Sequence, residues 1–236
     1  MSWMQFSRGV RLDPMGTRSP EALVVLLHDI GGSAASLAAK LARWATMVPA
    51  TAFVALEGAE RPEAIPEAIA DPPEPGASPF AAQTEPTGLD LAARQLAGLL
   101  GAQLRDYRLD ASALVLVGFG YGGTLALHLA LRHGWRSAGV LAYGAKVIRP
   151  VPKALKVGAK VRLIECLGDR DVGYGNVRDT VALLTERGID TRGVLLAGSV
   201  FTDAAIRHGG AYLVELVATA QRGGQFHPKP ETRDAQ

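Results

Sequence analysis

Short, unbroken apolar runs alternate along this chain with stretches of helical period. Ala22–His28 (ALVVLLH) is apolar throughout and of strand length, bounded on its C-terminal side by turn-forming residues. A run of that kind reads as a strand buried on both faces. Across Ser33–Met47, Leu37, Leu41 and Trp44 recur at helical spacing, and Ser33 is a suitable N-cap. Thr51–Leu56 reads as the next strand and Leu89–Leu104 as a helix. Ala113–Val117 is a strand that leads into Gly118–Gly123 (GFGYGG) and a helix over Thr124–Arg132. Strands at Gly139–Tyr143 and Val161–Leu167, a helix at Val177–Arg187, a strand at Gly193–Leu196 and a helix at Ala204–Ala220 complete the series. Strands alternating with helices predict an α/β fold with a mostly parallel central sheet and helices on both faces.

No internal repeat is visible, and 236 residues suit one α/β domain, expected over 1–221. Residues 57–87 are rich in Pro, Glu, Ala and Gly without a sustained period, and are expected to be a lid or loop insert. Residues 222–236 are polar and contain proline, as in a disordered tail. A net charge of only +2, with no long Lys/Arg cluster, argues against nucleic acid as a partner. The first residues lack the apolar core of a signal peptide, and no stretch reaches the roughly 18 apolar residues of a membrane span, so a cytoplasmic location is expected. The single cysteine, Cys166, lies in an apolar strand and reads as a buried structural thiol.

Gly118–Gly123 follows a strand and opens a helix, where two motifs compete. One is the nucleophile elbow G-x-S-x-G, a sharp turn whose small flanking residues let the central residue project above the sheet. Gly118 and Gly122 take the flanking positions, and Gly120 the centre. The other is the dinucleotide fingerprint G-x-G-x-x-G, matched by Gly118, Gly120 and Gly123. That motif belongs on the first strand, with an acidic residue about 20 positions on. Here the next strand ends in Leu141-Ala142-Tyr143-Gly144, without Asp or Glu.

The neighbouring segments favour the elbow. Leu23–Ser33 (LVVLLHDIGGS) resembles the LHG-x-GG-S strand and oxyanion loop of the phospholipase/carboxylesterase family, the acyl-protein-thioesterase-like α/β-hydrolases. Ala52–Leu56 with Glu60-Arg61 is similar to that family's second strand and following loop. Gly118–His128 (GFGYGGTLALH) resembles its GFSQGGAMALH elbow, and Gly168–Val172 (GDRDV) its acid loop. The resemblance runs over residues 20 to 215 and implies the α/β-hydrolase fold.

Carried over residue by residue, the resemblance implies a degenerate catalytic triad. Gly120 stands at the serine position and offers no side chain to acylate. Asp171 retains the acid position. The histidine position falls on Phe201 counting from the strand Gly193–Leu196, or on Ser199 counting back from the last helix. Neither is histidine. Backbone N–H groups of Ile30 and Tyr121 would form the oxyanion hole, beside which Asp29 replaces the family's glycine. A carboxylate there would repel a developing oxyanion. Loss of a triad serine or histidine costs on the order of 10⁶ in turnover.

The histidines have bland readings. By the resemblance His28 stands at a position that supports the oxyanion loop, while His128 reads as a core residue, His133 suits a helix C-terminus, His208 lies in the last helix and His227 in the tail. None shows metal-ligand spacing with a cysteine or carboxylate, so no metal or cofactor is expected. Trp44 reads as core or interface. The leading expectation is a catalytically impaired family member that binds a small acyl- or ester-like ligand or a protein partner, with a homodimer as its expected assembly. The alternatives are an active ester hydrolase using Tyr121, Asp29 or Asp171 around a water, and a dinucleotide-binding domain.

Overall fold

The computed structural model describes residues 7–15, 17, 19–57, 88–148, 151, 159–168 and 177–223. Seven strands form one sheet in the order β1-β3-β2-β4-β5-β6-β7. They are β1 (Ser7–Leu12), β2 (Ala22–Leu27), β3 (Thr51–Glu57), β4 (Leu114–Phe119), β5 (Gly139–Tyr143), β6 (Lys160–Cys166) and β7 (Thr191–Leu196). The helices are α1 (Ala34–Leu41), α2 (Gly88–Tyr107), α3 (Tyr121–Arg132), α4 (Val177–Glu186) and α5 (Asp203–Gly223). All pairings are parallel except β1 with β3.

The continuous apolar runs follow from burial on both faces. All six residues of β2 are buried, and successive side chains serve opposite layers. Leu23, Val25 and Leu27 pack with Leu96 and Leu100 of α2 and Leu125 and Leu129 of α3. Val24 and Leu26 pack with Leu37 and Leu41 of α1 and Leu213, Leu216 and Val217 of α5. Cys166 belongs to this second layer and is buried, as expected. Trp44, completely buried, follows α1 in a 3₁₀ turn and donates its indole N–H to the carbonyl of Ile206 in α5 at 3.1 Å. The Tyr143 hydroxyl donates to the neighbouring carbonyl of Ala205, also at 3.1 Å. Gly209 and Gly210 admit these rings, since a Cβ on Gly209 would overlap the Tyr143 hydroxyl.

The elements expected from the sequence are present with boundary shifts of one to three residues at their ends, except that the helix expected over Ser33–Met47 is α-helical only to Leu41 and tightens to a 3₁₀ turn over Ala42–Thr46. β1 is additional. Its mixed sequence Ser7-Arg8-Gly9-Val10-Arg11-Leu12 suits an antiparallel edge strand exposed on one side. β7 also forms an edge, so it is partly exposed rather than buried like the central strands. Glu57 closes β3 instead of opening the insert, and α5 continues through Arg222 and Gly223 instead of ending before them. The remainder of the expected insert and tail lies outside the described residues.

Arg162 on β6 is inaccessible to solvent and held by carboxylates. Its guanidinium donates to Glu215 at 2.6 and 3.1 Å and to Asp190 at 3.0 Å. These bonds, chiefly that from Arg162, hold the Glu215 carboxyl down at about 2, against an ordinary 4.5. A depressed folded-state pKa gives stability that is complete above 4.5 and disappears as pH falls toward 2. Glu215→Gln is therefore expected to melt below the parent at neutral pH, with the gap narrowing as pH drops through that window. Thermal melts across pH check this, and a gap independent of pH contradicts it.

Candidate functional site

The sheet has its switch point between β2 and β4. After β2 the chain moves outward to β3, then returns to place β4 on the other side of β2. In open parallel sheets the crevice beyond the strand C-termini at such a point is the natural binding position. Leu27 pairs with Gly118, so the segments leaving the two strands, His28-Asp29-Ile30 and Gly120-Tyr121, emerge side by side.

The β4–α3 turn is tight. A Cβ on Gly118 would overlap the backbone of Gly123, and one on Gly122 would collide with the carbonyls of Leu27 and His28. Gly120 carries φ +51° and ψ −117°, a conformation that costs a residue with a side chain about 1–3 kcal/mol. Its N–H donates to the Tyr143 carbonyl at 2.8 Å, and its own carbonyl accepts the Thr124 N–H at 3.0 Å. The glycine centre is thus fixed from both sides.

The facing loop is fixed as well. Ser33 Oγ caps α1 by accepting the Ser36 N–H at 3.2 Å, while Glu57 Oε2 accepts the Ala34 N–H at 2.9 Å. His28 Nδ1 lies 2.7 Å from the Asp29 carbonyl, and its Nε2 lies 3.5 Å from Glu57. The Gly32 N–H closes the turn on the Asp29 carbonyl at 2.9 Å.

Asp29 joins the two sides. Its Oδ1 accepts the Ile30 N–H at 2.8 Å and the Tyr121 N–H at 2.7 Å. The rest of the carboxylate lies where a side chain on Gly120 would begin, so a Cβ at that position would overlap it. One carboxylate therefore engages both amides and fills the space that a side chain on residue 120 would take. It also sits at the N-terminus of α3, where the helix dipole favours negative charge.

The other expected residues divide into those brought here and those not. Phe201 stacks on Phe119, the residue before Gly120, with ring centroids 5.2 Å apart. Phe119 in turn stacks on Tyr143 at 4.3 Å. The Lys40 ammonium lies 3.9 Å above the Phe201 ring. Ser199 is an exposed turn residue whose carbonyl accepts from Thr202. Asp171, expected as the acid, lies outside the described residues. Tyr121 is partly buried against the core, which pushes its phenol above the ordinary value and keeps it protonated near neutral pH. His208 is exposed on α5, and His227 lies outside the described residues.

His128 and His133 meet a partner that spacing along the chain did not reveal. Both approach Asp90 Oδ1, at 2.7 and 3.2 Å. Asp90 sits in the first turn of α2, 38 residues before His128, so no local spacing could flag the cluster.

A mostly parallel sheet, a sharp glycine elbow at its switch point and paired amides facing that elbow define the α/β-hydrolase class. The family model described as phospholipase/carboxylesterase matches residues 15–174, and the chain belongs to that family. Esterase PE8 is similar over 91% of this chain and 100% of its own, at 24% identity and a TM-score of 0.68. The phospholipase/carboxylesterase of Dyadobacter fermentans DSM 18053 aligns at 18% identity and a TM-score of 0.60, covering 89% of this chain and 98% of that one. The Bacillus cereus carboxylesterase aligns at 16% and 0.62, covering 90% and 94%. At these identities the likeness describes the fold. No curated protein matches the chain.

The overlap at Gly120 has a measurable consequence. Gly120→Ser alone is expected to destabilise the protein by about 1–3 kcal/mol, through backbone strain and collision with Asp29. Adding Asp29→Ala should recover part of that loss, giving a coupling energy on the order of 1 kcal/mol in a denaturant double-mutant cycle. Strict additivity would contradict the shared occupancy.

Proposed function

We propose that this chain is a family member that has exchanged ester hydrolysis for ligand binding. Asp29 Oδ1, held by the Ile30 and Tyr121 amides, carries this reading. If those amides are the oxyanion hole, it is already filled by a negative charge, and an incoming carbonyl oxygen must displace a charge-assisted pair of hydrogen bonds. Gly120 then stands at the nucleophile position without a nucleophile. Phe201 suits the histidine position better than Ser199, because its ring stacks beside the elbow. Asp171 keeps the acid position with no imidazole to orient. The residual ~10³–10⁴ acceleration that an intact hole and binding can supply is itself compromised.

Tyr121 offers little as a replacement base, since burial keeps its phenol protonated. The Asp29 carboxylate at the start of α3 also opposes a pyrophosphate there, which disfavours the dinucleotide reading. The ligand class that fits is small, acyl- or ester-like and without an anionic group at the elbow. No helix among the described residues is long and apolar enough to cross a membrane. A cytoplasmic setting and a homodimer belong to the same proposal.

The test is an assay of homogeneous protein on p-nitrophenyl acetate, butyrate and octanoate, with Gly120→Leu as a blocked control. The expected result is no turnover above buffer, or equal turnover in both proteins, which marks reaction outside the elbow. Saturable turnover that disappears in Gly120→Leu would overturn the proposal.

A further inference from the structure

We propose that Asp90, His128 and His133 form a binding site for a divalent transition metal of the zinc type, clasping the start of α2 to the end of α3. The three side chains come from separate places. Asp90 lies in the first turn of α2, His128 is buried on α3, and His133 is the C-cap residue of α3. All three ligand atoms lie within 4.8 Å of one another. His128 Nε2 is 2.7 Å and His133 Nε2 3.2 Å from the same oxygen, Asp90 Oδ1. Ligands on a tetrahedral zinc, with bonds of about 2.0–2.1 Å, stand about 3.3 Å from one another. The two N–O separations differ from that spacing by well under 1 Å, and the two nitrogens lie within 4.8 Å of each other. The two rings meet edge to face, inclined at 63° with centroids 5.3 Å apart.

The donor chemistry selects the ion. Two imidazoles and one carboxylate suit Zn²⁺, Co²⁺ or Ni²⁺, whereas Mg²⁺ and Ca²⁺ require oxygen donors. Three protein ligands leave a fourth position for water. Among the described residues a nearby cation is Arg132, whose Nε lies 3.8 Å from Asp90 Oδ1. Its side chain is 43% exposed. Without a metal, the same geometry is two imidazoles sharing one carboxylate oxygen. The experiment separates these cases.

The full chain, stripped with chelator, is titrated with Co²⁺ and followed by its visible d–d absorption, then displaced by Zn²⁺. One equivalent of Zn²⁺ should bind and raise the melting temperature. His133→Ala, at an exposed position, should keep the native circular dichroism and weaken Zn²⁺ binding at least ~10-fold. Arg132→Ala should tighten it by removing the nearby cation. A parent protein that takes up no Zn²⁺ at millimolar concentration, or one that binds it as well after His133→Ala, would overturn the site. Zinc affinity is independent of ester turnover, so this result is separate from the proposal for the elbow.

Discussion

Two backbone amides at the end of a parallel sheet form a small positive concavity, and the chain satisfies them with its own carboxylate. The amides of Ile30 and Tyr121 come from segments far apart in sequence, and Asp29 Oδ1 accepts from both at 2.7–2.8 Å. Hydrogen bonds to a charged acceptor are stronger than neutral ones, and this acceptor also meets the positive end of α3. The bond ties the β2 loop to the β4 elbow at the point where the topology of the sheet opens its crevice. The space for this carboxylate exists because residue 120 is glycine. Asp29 and Gly120 are thus one structural unit: a side chain at 120 would expel the carboxylate.

The surrounding architecture maintains that unit. Glu57 and Ser33 satisfy the first amides of α1 and so fix the loop bearing Asp29. Gly118 and Gly122 permit the close approach of α3 to β4 and to the carbonyls leaving β2. Behind the elbow, Phe119 stacks between Tyr143 and Phe201, and Tyr143 is bonded in turn to α5. This aromatic column packs against the elbow through Phe119, the residue before Gly120. At the elbow, Gly120 turns the chain with φ +51° and ψ −117°, and the Asp29 carboxylate closes the space above it.

The central strands were legible because burial on both faces imposes an unambiguous apolar run, as in Ala22–Leu27 and Leu114–Phe119. β1 was not, because a half-exposed edge strand such as Ser7–Leu12 alternates charge with apolar residues and carries little pattern. Within the site, Gly120 and the departure at Asp29 could be read directly from the motif. That Asp29 occupies the amides, instead of merely standing beside them, depends on the pairing of β2 with β4 and on a side-chain torsion, which no motif encodes. The cluster of Asp90 with His128 and His133 was invisible for a related reason. It is assembled by the packing of α2 on α3, and its carboxylate lies 38 residues before the nearer histidine.

The central claim concerns the two amides, and they can be observed individually. In ¹H–¹⁵N spectra of the parent protein the Ile30 and Tyr121 amide protons should lie downfield and exchange slowly with solvent. In Asp29→Ala both should move upfield together and exchange faster, while amides elsewhere in the sheet keep their shifts. Two amides unaffected by Asp29→Ala, or only the adjacent Ile30 responding, would contradict the account.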